Sequence, residues 1–301
     1  MTADAIMKRS RIVLIEKAKE TGFCFGVKRA LKILEEAVDK YGEVETLGPV
    51  VHNERVVDSL GRLGVKVVES SHQVAGRIAV IPSHGMPPQV SHELKARGLT
   101  IIDTTCPNVQ RAQKAAKELS EAGFWVIVFG DPHHPEVKGI LGWAAGKGVA
   151  TLDSEAISKL SDLPHRLGLL SQTTRNPSQF ARFTNDVINL LLPRIGELRV
   201  VNTICNVTEK RQTEAMELAE KADLMIVVGG RNSANTRCLA EVCSSTGTET
   251  HHVESAAEIQ EEWFGNKTFV GVTTGTSIPD RLTQEVMLRL DQIRKRGLDA
   301  T

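Results

Sequence analysis

The sequence predicts an α/β fold of three pseudo-symmetric lobes, each built on a mainly parallel sheet. The first observation is a repeated spacing, because three cysteines are each followed by a glycine 24 residues later, in the pairs Cys24–Gly48, Cys106–Gly130 and Cys205–Gly229. The second is that each of these glycines ends a strand-like apolar run, VETLG, WVIVFG or LMIVVG. The third is the alternation of strand and helix patterns along the chain, which favours parallel strands joined by right-handed crossovers.

Each repeat continues in the same order after its glycine. A helical stretch and a short strand come first, and a second apolar strand then ends in small polar residues, as in RIAVIPSHG, RLGLLSQTT and TFVGVTTGT. Prolines follow soon afterwards, at Pro87 and Pro88, at Pro177 and at Pro279. Because a residue before proline avoids helical geometry while proline suits the first helical turn, each site predicts a strand, a loop and a new helix.

The last element of a repeat is a strand that leads into the next cysteine, LTIIDTTC in one repeat and LRVVNTIC in the next. The third copy of this strand stands at the other end of the chain, in RIVLIEKAKETGFC. We therefore predict lobes at 24–105, at 106–203, and at 204–301 together with an N-terminal strand at 11–23. Chemistry in such folds lies at the carboxyl ends of parallel strands, so we expect a trefoil of lobes around one central site.

Composition indicates a globular protein and excludes several classes of function. Of 301 residues, 41% are hydrophobic and 25% charged, and 37 basic residues balance 37 acidic ones, so no overall field favours nucleic acid or a membrane surface. The first residues lack the long apolar core of a secretory signal, and no run approaches the ~18 apolar residues of a membrane span. We expect a cytoplasmic location, where cysteines stay reduced.

The three repeated cysteines are candidate metal ligands. Cys24, Cys106 and Cys205 each follow a predicted strand and precede a predicted helix, whose N-terminus favours the thiolate. Three thiolates around a pseudo-threefold axis suit an iron–sulfur cubane with one iron open to a substrate oxygen. A three-cysteine zinc site is an alternative that the residues leave open. Cys238 and Cys243 lie inside a predicted helix and are expected in the core.

The strand-end loops also carry polar groups that suit a diphosphate. The chain has neither GxxxxGK[ST] nor GxGxxG after a strand, so ATP and dinucleotides lose support. Donors near helix starts favour an anion instead, and the candidates are His52, His84, His134, Thr173, Thr174, Ser233, Asn235 and Ser277. A single histidine there is more often a surface or capping residue, and a serine or asparagine usually caps a helix, but their shared location at the strand ends of the repeat favours the anion site. Glu136, two residues after His134, could serve the open iron or stabilise the first turn of a helix.

Nine ordered motifs make the chain resemble the 4-hydroxy-3-methylbut-2-enyl diphosphate reductase family, also called IspH or LytB, over about residues 11–290. They are GFCFGVKRA, VVHN, SHG, DTTCP, HPEV, SQTT, ICNVTEKRQ, NSANT and VTTGTSIPD. The resemblance implies a three-lobed iron–sulfur oxidoreductase that catalyses the last step of the methylerythritol phosphate route to isoprenoids. That step removes the hydroxyl of its substrate with two electrons and two protons, and yields isopentenyl and dimethylallyl diphosphates.

The resemblance also implies a role for each matched residue. Cys24, Cys106 and Cys205 match the ligands of a [4Fe-4S] cluster whose fourth iron takes the substrate's oxygen. Glu136 matches the residue that delivers the proton, and Thr173 the hydroxyl that holds the substrate oxygen. The residues matching the diphosphate site are His52, His84, His134, Ser233, Asn235 and Ser277. A ferredoxin or flavodoxin is the expected electron donor.

Two other functions fit part of the pattern. Quinolinate synthase also combines three lobes with a three-cysteine cluster, yet it performs condensation and dehydration without net electron input. A non-enzymatic iron–sulfur sensor or scaffold would use the cluster structurally. A cleft lined with histidines and hydroxyls favours an enzyme over a scaffold.

Overall fold

The computed structural model describes residues 14–160 and 162–298. The strands in these residues are β1 Leu14–Lys17, β2 Val44–Leu47, β3 Val65–Val68, β4 Ile78–Ile81, β5 Thr100–Asp103, β6 Trp125–Phe129, β7 Gly148–Thr151, β8 Arg166–Ser171, β9 Glu197–Val201, β10 Leu224–Val228, β11 Glu249–Val253 and β12 Phe269–Thr274. The α-helices are α1 Phe25–Tyr41, α2 Glu54–Leu63, α3 Pro88–Ala96, α4 Pro107–Glu121, α5 Pro135–Trp143, α6 Ser154–Ser158, α7 Pro177–Leu191, α8 Asn206–Ala219, α9 Ala234–Ser245 and α10 Asp280–Leu298.

These strands form three four-stranded sheets, in the orders β3-β2-β4-β5, β7-β6-β8-β9 and β1-β12-β10-β11. All neighbouring strands in the described residues pair in parallel. The central strands β4 and β10 are buried along their whole length, as expected where helices cover both faces of a parallel sheet. The predicted fold class, three α/β lobes with parallel sheets, is confirmed.

Proline starts several helices as predicted. Pro88 opens α3 and Pro177 opens α7, while Pro279 stands one residue before α10. Pro107 opens α4 directly after Cys106, which is the cap residue of that helix. The missing backbone N–H of proline is harmless in a first turn, where no intrahelical acceptor exists for it. Chain direction therefore changes at the carboxyl end of a strand, which is where the candidate residues lie.

The N-terminal strand completes the sheet made by the C-terminal part of the chain. Leu14 lies opposite Phe269 and Lys17 opposite Val272, so β1 pairs with β12. This strand ends at Lys17, earlier than the predicted range 11–23, and residues 11–13 and 299–301 lie outside the described residues. The lobe limits 24–105, 106–203 and 204–301 stay a prediction, as does the trefoil about a central cluster.

The chain divides into two compact units, which are described separately. The larger unit, Phe25–Asn206, contains the sheets of β2–β5 and β6–β9. The smaller unit combines Met1–Cys24 with Val207–Thr301, of which 14–24 and 207–298 are described, and contains the third sheet. Within the described ranges, no helix is both long and apolar enough to cross a membrane.

Candidate active site

Three of the predicted histidines meet in the larger unit. The ring of His52, in the loop after β2, stacks on that of His84, in the loop after β4, with 5.9 Å between centroids. His134 precedes α5 and meets His52 edge-on, with centroids 5.5 Å apart. Adjacent parallel strands bring their carboxyl ends to one edge of a sheet, which explains why two of these loops converge. The third histidine comes from the neighbouring sheet.

His84 is buried and carries no charge at neutral pH. Burial and the neighbouring charge of His52 lower its pKa to about 4. Nδ1 lies 3.1 Å from the carbonyl oxygen of Gly85, which only accepts hydrogen bonds, so Nδ1 bears the proton of the neutral ring. Nε2 of His84 is buried without a hydrogen-bond partner. Such an atom is available to a ligand.

Glu136 lies in the first turn of α5 and is only 3% exposed. Oε1 accepts from the backbone N–H of Thr173 at 2.7 Å, and Oε2 accepts from the Thr173 hydroxyl at 3.0 Å. Burial raises the pKa of Glu136 to about 7, against the opposing effect of the Thr173 hydrogen bonds. A carboxyl that only supports a helix N-terminus is normally solvated and ionised, so this geometry favours a proton donor over a helix stabiliser.

Thr173 also touches the loop that carries Cys205. Its carbonyl oxygen accepts from the backbone N–H of Cys205 at 2.9 Å. The first turns of α4, just beyond Cys106, bind the same loop, because Asn108 Nδ2 donates to Cys205 Sγ at 3.1 Å and Arg111 donates to the carbonyl of Ile204 at 2.8 Å. The larger unit therefore connects Glu136, through Thr173, to the backbone of a candidate ligand.

The smaller unit carries the other four predicted residues. The backbone N–H of Cys24 donates to the carbonyl of Thr276 at 3.1 Å, which joins this cysteine to the loop of Ser277. Ser233 caps α9, where its hydroxyl accepts from the backbone N–H of Thr236 at 3.4 Å. Ser277 is buried in the loop between β12 and α10. Its position beside Cys24 in the hydrogen-bonding pattern was not evident from the sequence.

Asn235 is the most unusual residue of this unit. It is 3% exposed, and neither its Nδ2 nor its Oδ1 has a hydrogen-bond partner. A Cβ at Gly275 would lie 2.2 Å from Thr236 Oγ1 and 3.7 Å from Asn235 Nδ2, so glycine lets the end of β12 approach the first turn of α9. Buried polar groups are almost always hydrogen-bonded, and an unpaired one costs about 1–3 kcal/mol. The amide is therefore placed for a ligand.

The five cysteines fall into two classes. None forms a disulfide; Cys24, Cys106 and Cys205 are half-buried, whereas Cys238 and Cys243 are buried in α9. Burial raises the pKa of Cys243 to about 12, so it stays a neutral thiol, and Cys238 Sγ accepts from Gln212 at 3.2 Å. The three half-buried thiols each precede a helix, and one receives an N–H···S hydrogen bond. This donor set fits an iron–sulfur cluster.

In residues 14–160 and 162–298, no three side chains of His, Cys, Asp or Glu lie close enough together to hold a single metal ion.

Sequence reasoning missed two residues around the candidate ligands. Asn108 binds Cys205 Sγ, and the only signal for it is its position two residues after Cys106 in the first turn of a predicted helix. Arg211 is buried although it lies in a charged helical stretch, EKRQTE, that reads as a solvated surface. Of the predicted residues, Thr174 is half-buried beside Thr173.

Comparison with known proteins identifies the family. The LytB protein family matches residues 15–291. The chain belongs to this family. A protein of Dehalococcoides mccartyi (strain CBDB1) is 46% identical over 279 residues, covering 93% of this chain and 98% of the relative, and is named 4-hydroxy-3-methylbut-2-enyl diphosphate reductase. A protein of Pelobacter propionicus with the same name is 43% identical over 287 residues, covering 95% of this chain and all of the relative (100%).

One solved structure agrees with this membership, and a second agrees with the fold. One is a structure of (E)-4-hydroxy-3-methyl-but-2-enyl diphosphate reductase, 37% identical with a TM-score of 0.66, and it covers 93% of this chain and 100% of its own. The reductase from Plasmodium falciparum is 24% identical with a TM-score of 0.86 over 92% of this chain and 87% of its own, and it supports the fold. The predicted LytB resemblance is confirmed, and these relatives give no support to a quinolinate synthase or a scaffold.

Proposed function

We propose that this LytB protein is a 4-hydroxy-3-methylbut-2-enyl diphosphate reductase, which converts its substrate to isopentenyl and dimethylallyl diphosphates. The observation that carries the proposal is the Glu136 carboxyl, buried against Thr173 with a pKa of about 7. An acid that is half protonated near neutral pH can give its proton to a leaving hydroxyl and be reprotonated between turnovers. Reductive removal of a hydroxyl needs such a group, because hydroxide alone is a poor leaving group.

Cys24, Cys106 and Cys205 are the residues that would hold a [4Fe-4S] cluster. When bound, the cluster supplies electrons and a Lewis-acidic iron to the reaction. Asn108 donates an N–H···S hydrogen bond to Cys205 Sγ and orients this candidate ligand, and a helix begins directly after each of the three cysteines. The cysteines of α9 have no part in this site.

The remaining residues bind the substrate and move protons. Two electrons and two protons enter, the allylic C–O bond breaks, and the hydroxyl leaves as water while the allyl group takes the second proton. Glu136 supplies the proton for the hydroxyl, and the Thr173 hydroxyl orients the Glu136 carboxyl through its contact with Oε2. We assign the diphosphate to six donors, His52, His84, His134, Ser233, Asn235 and Ser277.

The electrons come from an external protein, and we propose a ferredoxin or flavodoxin because each delivers single electrons at low potential. The protein itself holds no nicotinamide motif, since GxGxxG after a strand is absent from the sequence. We also propose that the protein is located in the cytoplasm.

One experiment tests cofactor and reaction together. The protein is purified without oxygen, and iron, sulfide and zinc are measured per chain before substrate is added with a chemical one-electron donor. We expect iron and sulfide in near-equal amounts, little zinc, and both isoprenoid diphosphates by mass spectrometry. A protein with full iron content that releases no such product would overturn the reaction, and a zinc-loaded protein without sulfide would overturn the cofactor.

A further inference from the structure

Arg211, on α8, is a buried cation whose described hydrogen bonds all go to backbone carbonyls. The side chain is 2% exposed. Nη1 donates to the carbonyls of Gly22 at 3.1 Å, Thr274 at 2.9 Å and Gly275 at 2.9 Å, while Nη2 also donates to Gly22 at 3.1 Å. Nε is buried without a hydrogen-bond partner. Arginine is rarely buried without a paired charge, because removing a guanidinium from water is expensive.

The three carbonyls belong to the two loops that carry a candidate ligand and a candidate substrate residue. Gly22 is two residues before Cys24, and Gly275 is two residues before Ser277. The same loops are joined directly, since the backbone N–H of Gly22 donates to Thr274 Oγ1 at 3.0 Å. Gly22 has a φ of 76°, in the left-handed region where glycine is favoured. Arg211 therefore fixes a loop conformation that the backbone alone does not strongly prefer.

The charges around Arg211 point to Cys24. Burial lowers the pKa of Arg211, and the negative charge that most opposes this is that of Cys24, followed by Glu20 and Glu214. Glu20 already pairs with Lys210, which lowers the pKa of its carboxyl, and Glu214 accepts from the backbone N–H of Glu20 at 2.8 Å. Both carboxylates thus have other hydrogen-bond partners, and the loop that Arg211 binds through the Gly22 carbonyl is the one that carries Cys24.

We propose that Arg211 is a positioning residue for Cys24, holding its loop in the ligating conformation and stabilising the added negative charge of a reduced cluster. This inference rests on the proposed cofactor but not on the identity of the substrate. A cation near the centre favours the state with one more electron, so its removal makes the reduction potential more negative. Groups that orient a metal ligand without binding the metal typically change metal affinity by about 10–100-fold.

The test compares two substitutions in the intact holoenzyme. Arg211→Gln removes the charge and most of the donors, whereas Arg211→Lys keeps the charge but cannot reach three carbonyls with a rigid fork. We measure the midpoint potential by anaerobic spectroelectrochemical titration and the rate at which a chelator removes iron. Both variants are expected to lose iron about 10–100-fold faster than wild type. Only Arg211→Gln is expected to shift its potential to more negative values.

Arg97 provides a matched control. Its guanidinium, just after α3, also donates to loop carbonyls, those of Ser71 and Val74, but these lie between β3 and β4 in a loop that carries no candidate ligand or substrate residue. Arg97→Lys should leave both potential and iron loss at wild-type values. If Arg211→Gln does not fold, the rate at which the chelator removes iron from Arg211→Lys is sufficient to test the proposal.

Two outcomes would overturn the inference. One is a wild-type rate of iron loss in Arg211→Lys. The other is an Arg211→Gln variant that only unfolds more easily, with the potential and iron loss of wild type, because that describes a purely structural residue. Failure of the proposed reaction is distinguishable, since a wild type that binds a cluster without converting the diphosphate still permits both measurements.

Discussion

Two helix starts in the molecule share a backbone pattern and differ in chemistry. Gly130 and Gly229 each follow a strand, and the residue four positions later caps a helix, His134 for α5 and Ser233 for α9. His134 Nδ1 accepts from the backbone N–H of Glu136, and Ser233 Oγ accepts from that of Thr236. Two residues beyond the cap, the first turn of α5 presents the carboxyl of Glu136, and the first turn of α9 presents the amide of Asn235.

These two side chains are equally buried, each only 3% exposed, yet their polar atoms differ in hydrogen bonding. Both oxygens of Glu136 are hydrogen-bonded to Thr173, whereas both polar atoms of Asn235 have no hydrogen-bond partner. The protein therefore sets the orientation and protonation of the carboxyl before any ligand arrives. The unpaired amide remains destabilising until a ligand supplies its hydrogen bonds. We therefore propose that the start of α5 serves chemistry and the start of α9 serves binding.

Among the substitutions that leave the three candidate cysteine ligands in place, Glu136→Gln should produce the largest effect. Glutamine keeps the size and the hydrogen-bonding reach but has no proton to transfer, and positioned acid catalysis contributes about 10²–10⁴-fold. Single-turnover reduction with a chemical donor should slow by roughly that factor, while substrate affinity changes little.

The matched control for this substitution is Glu155→Gln, which changes an exposed acidic residue in the first turn of α6. It should turn over like wild type. Variants must be compared at equal iron content. An effect of Glu136→Gln confined to KM would assign Glu136 to uniform substrate binding instead.

The pH dependence of stability should follow the same carboxyl. Because burial raises the pKa of Glu136 from 4.5 to about 7, the folded state holds a proton between these values that the unfolded state has released. Stability from this group is therefore full below pH 4.5 and is lost as pH rises to 7, by roughly 3 kcal/mol in total. The turnover of wild type should also fall above pH 7, as the proton donor becomes ionised.

Chemical unfolding of wild type and Glu136→Gln at pH 5 and pH 8 measures this effect. Other titrating groups cancel in the comparison, so the variant should gain about 3 kcal/mol relative to wild type at the higher pH. A difference between the two proteins that is independent of pH would mean that Glu136 is ionised in the fold with an ordinary pKa.

Asn235→Leu should change stability and affinity in opposite directions. Leucine removes two unpaired polar groups at similar volume, so the substrate-free protein should become more stable by about 1 kcal/mol or more. The same change removes hydrogen bonds to the diphosphate, and we expect KM to rise about 10–100-fold while the rate at saturation changes less. A variant that unfolds more easily than wild type would mean that the Asn235 amide is satisfied in the free protein, and the contrast with Glu136 would then fail.

The repeated spacing of the sequence predicted much of this arrangement. Strand ends at Gly130 and Gly229 and the caps that follow are local features, and parallel pairing brings the loops of His52 and His84 to one edge. The hydrogen-bonding state of a side chain is different, because it depends on a partner far along the chain. Thr173 reaches Glu136 from the end of another strand, and Arg211 donates to the carbonyls of Gly22 and Thr274, which are far from it along the chain. Neither relation has a signal in residue spacing.

The smallest effect on turnover is expected for a substitution of Cys243, which lies in the interior of α9 and away from the start of that helix. Cys243 is fully buried, burial holds its thiol neutral, and its sulfur lies 3.8 Å from the carbonyl of Ala215. Cys243→Ala removes one atom from a packed core, so we expect a loss of about 1 kcal/mol in the free energy of unfolding, with wild-type iron content and turnover. Cys205→Ala is the matched substitution at a strand end, where Asn108 contacts the sulfur, and it should strip iron and abolish turnover. Equal loss of iron from both variants, measured per folded chain, would show that the position of a cysteine at the start of a helix does not distinguish a ligand from a core residue. The candidate site would then extend beyond the strand ends and helix starts. The comparison of α5 with α9 would have to include residues in the middle of both helices.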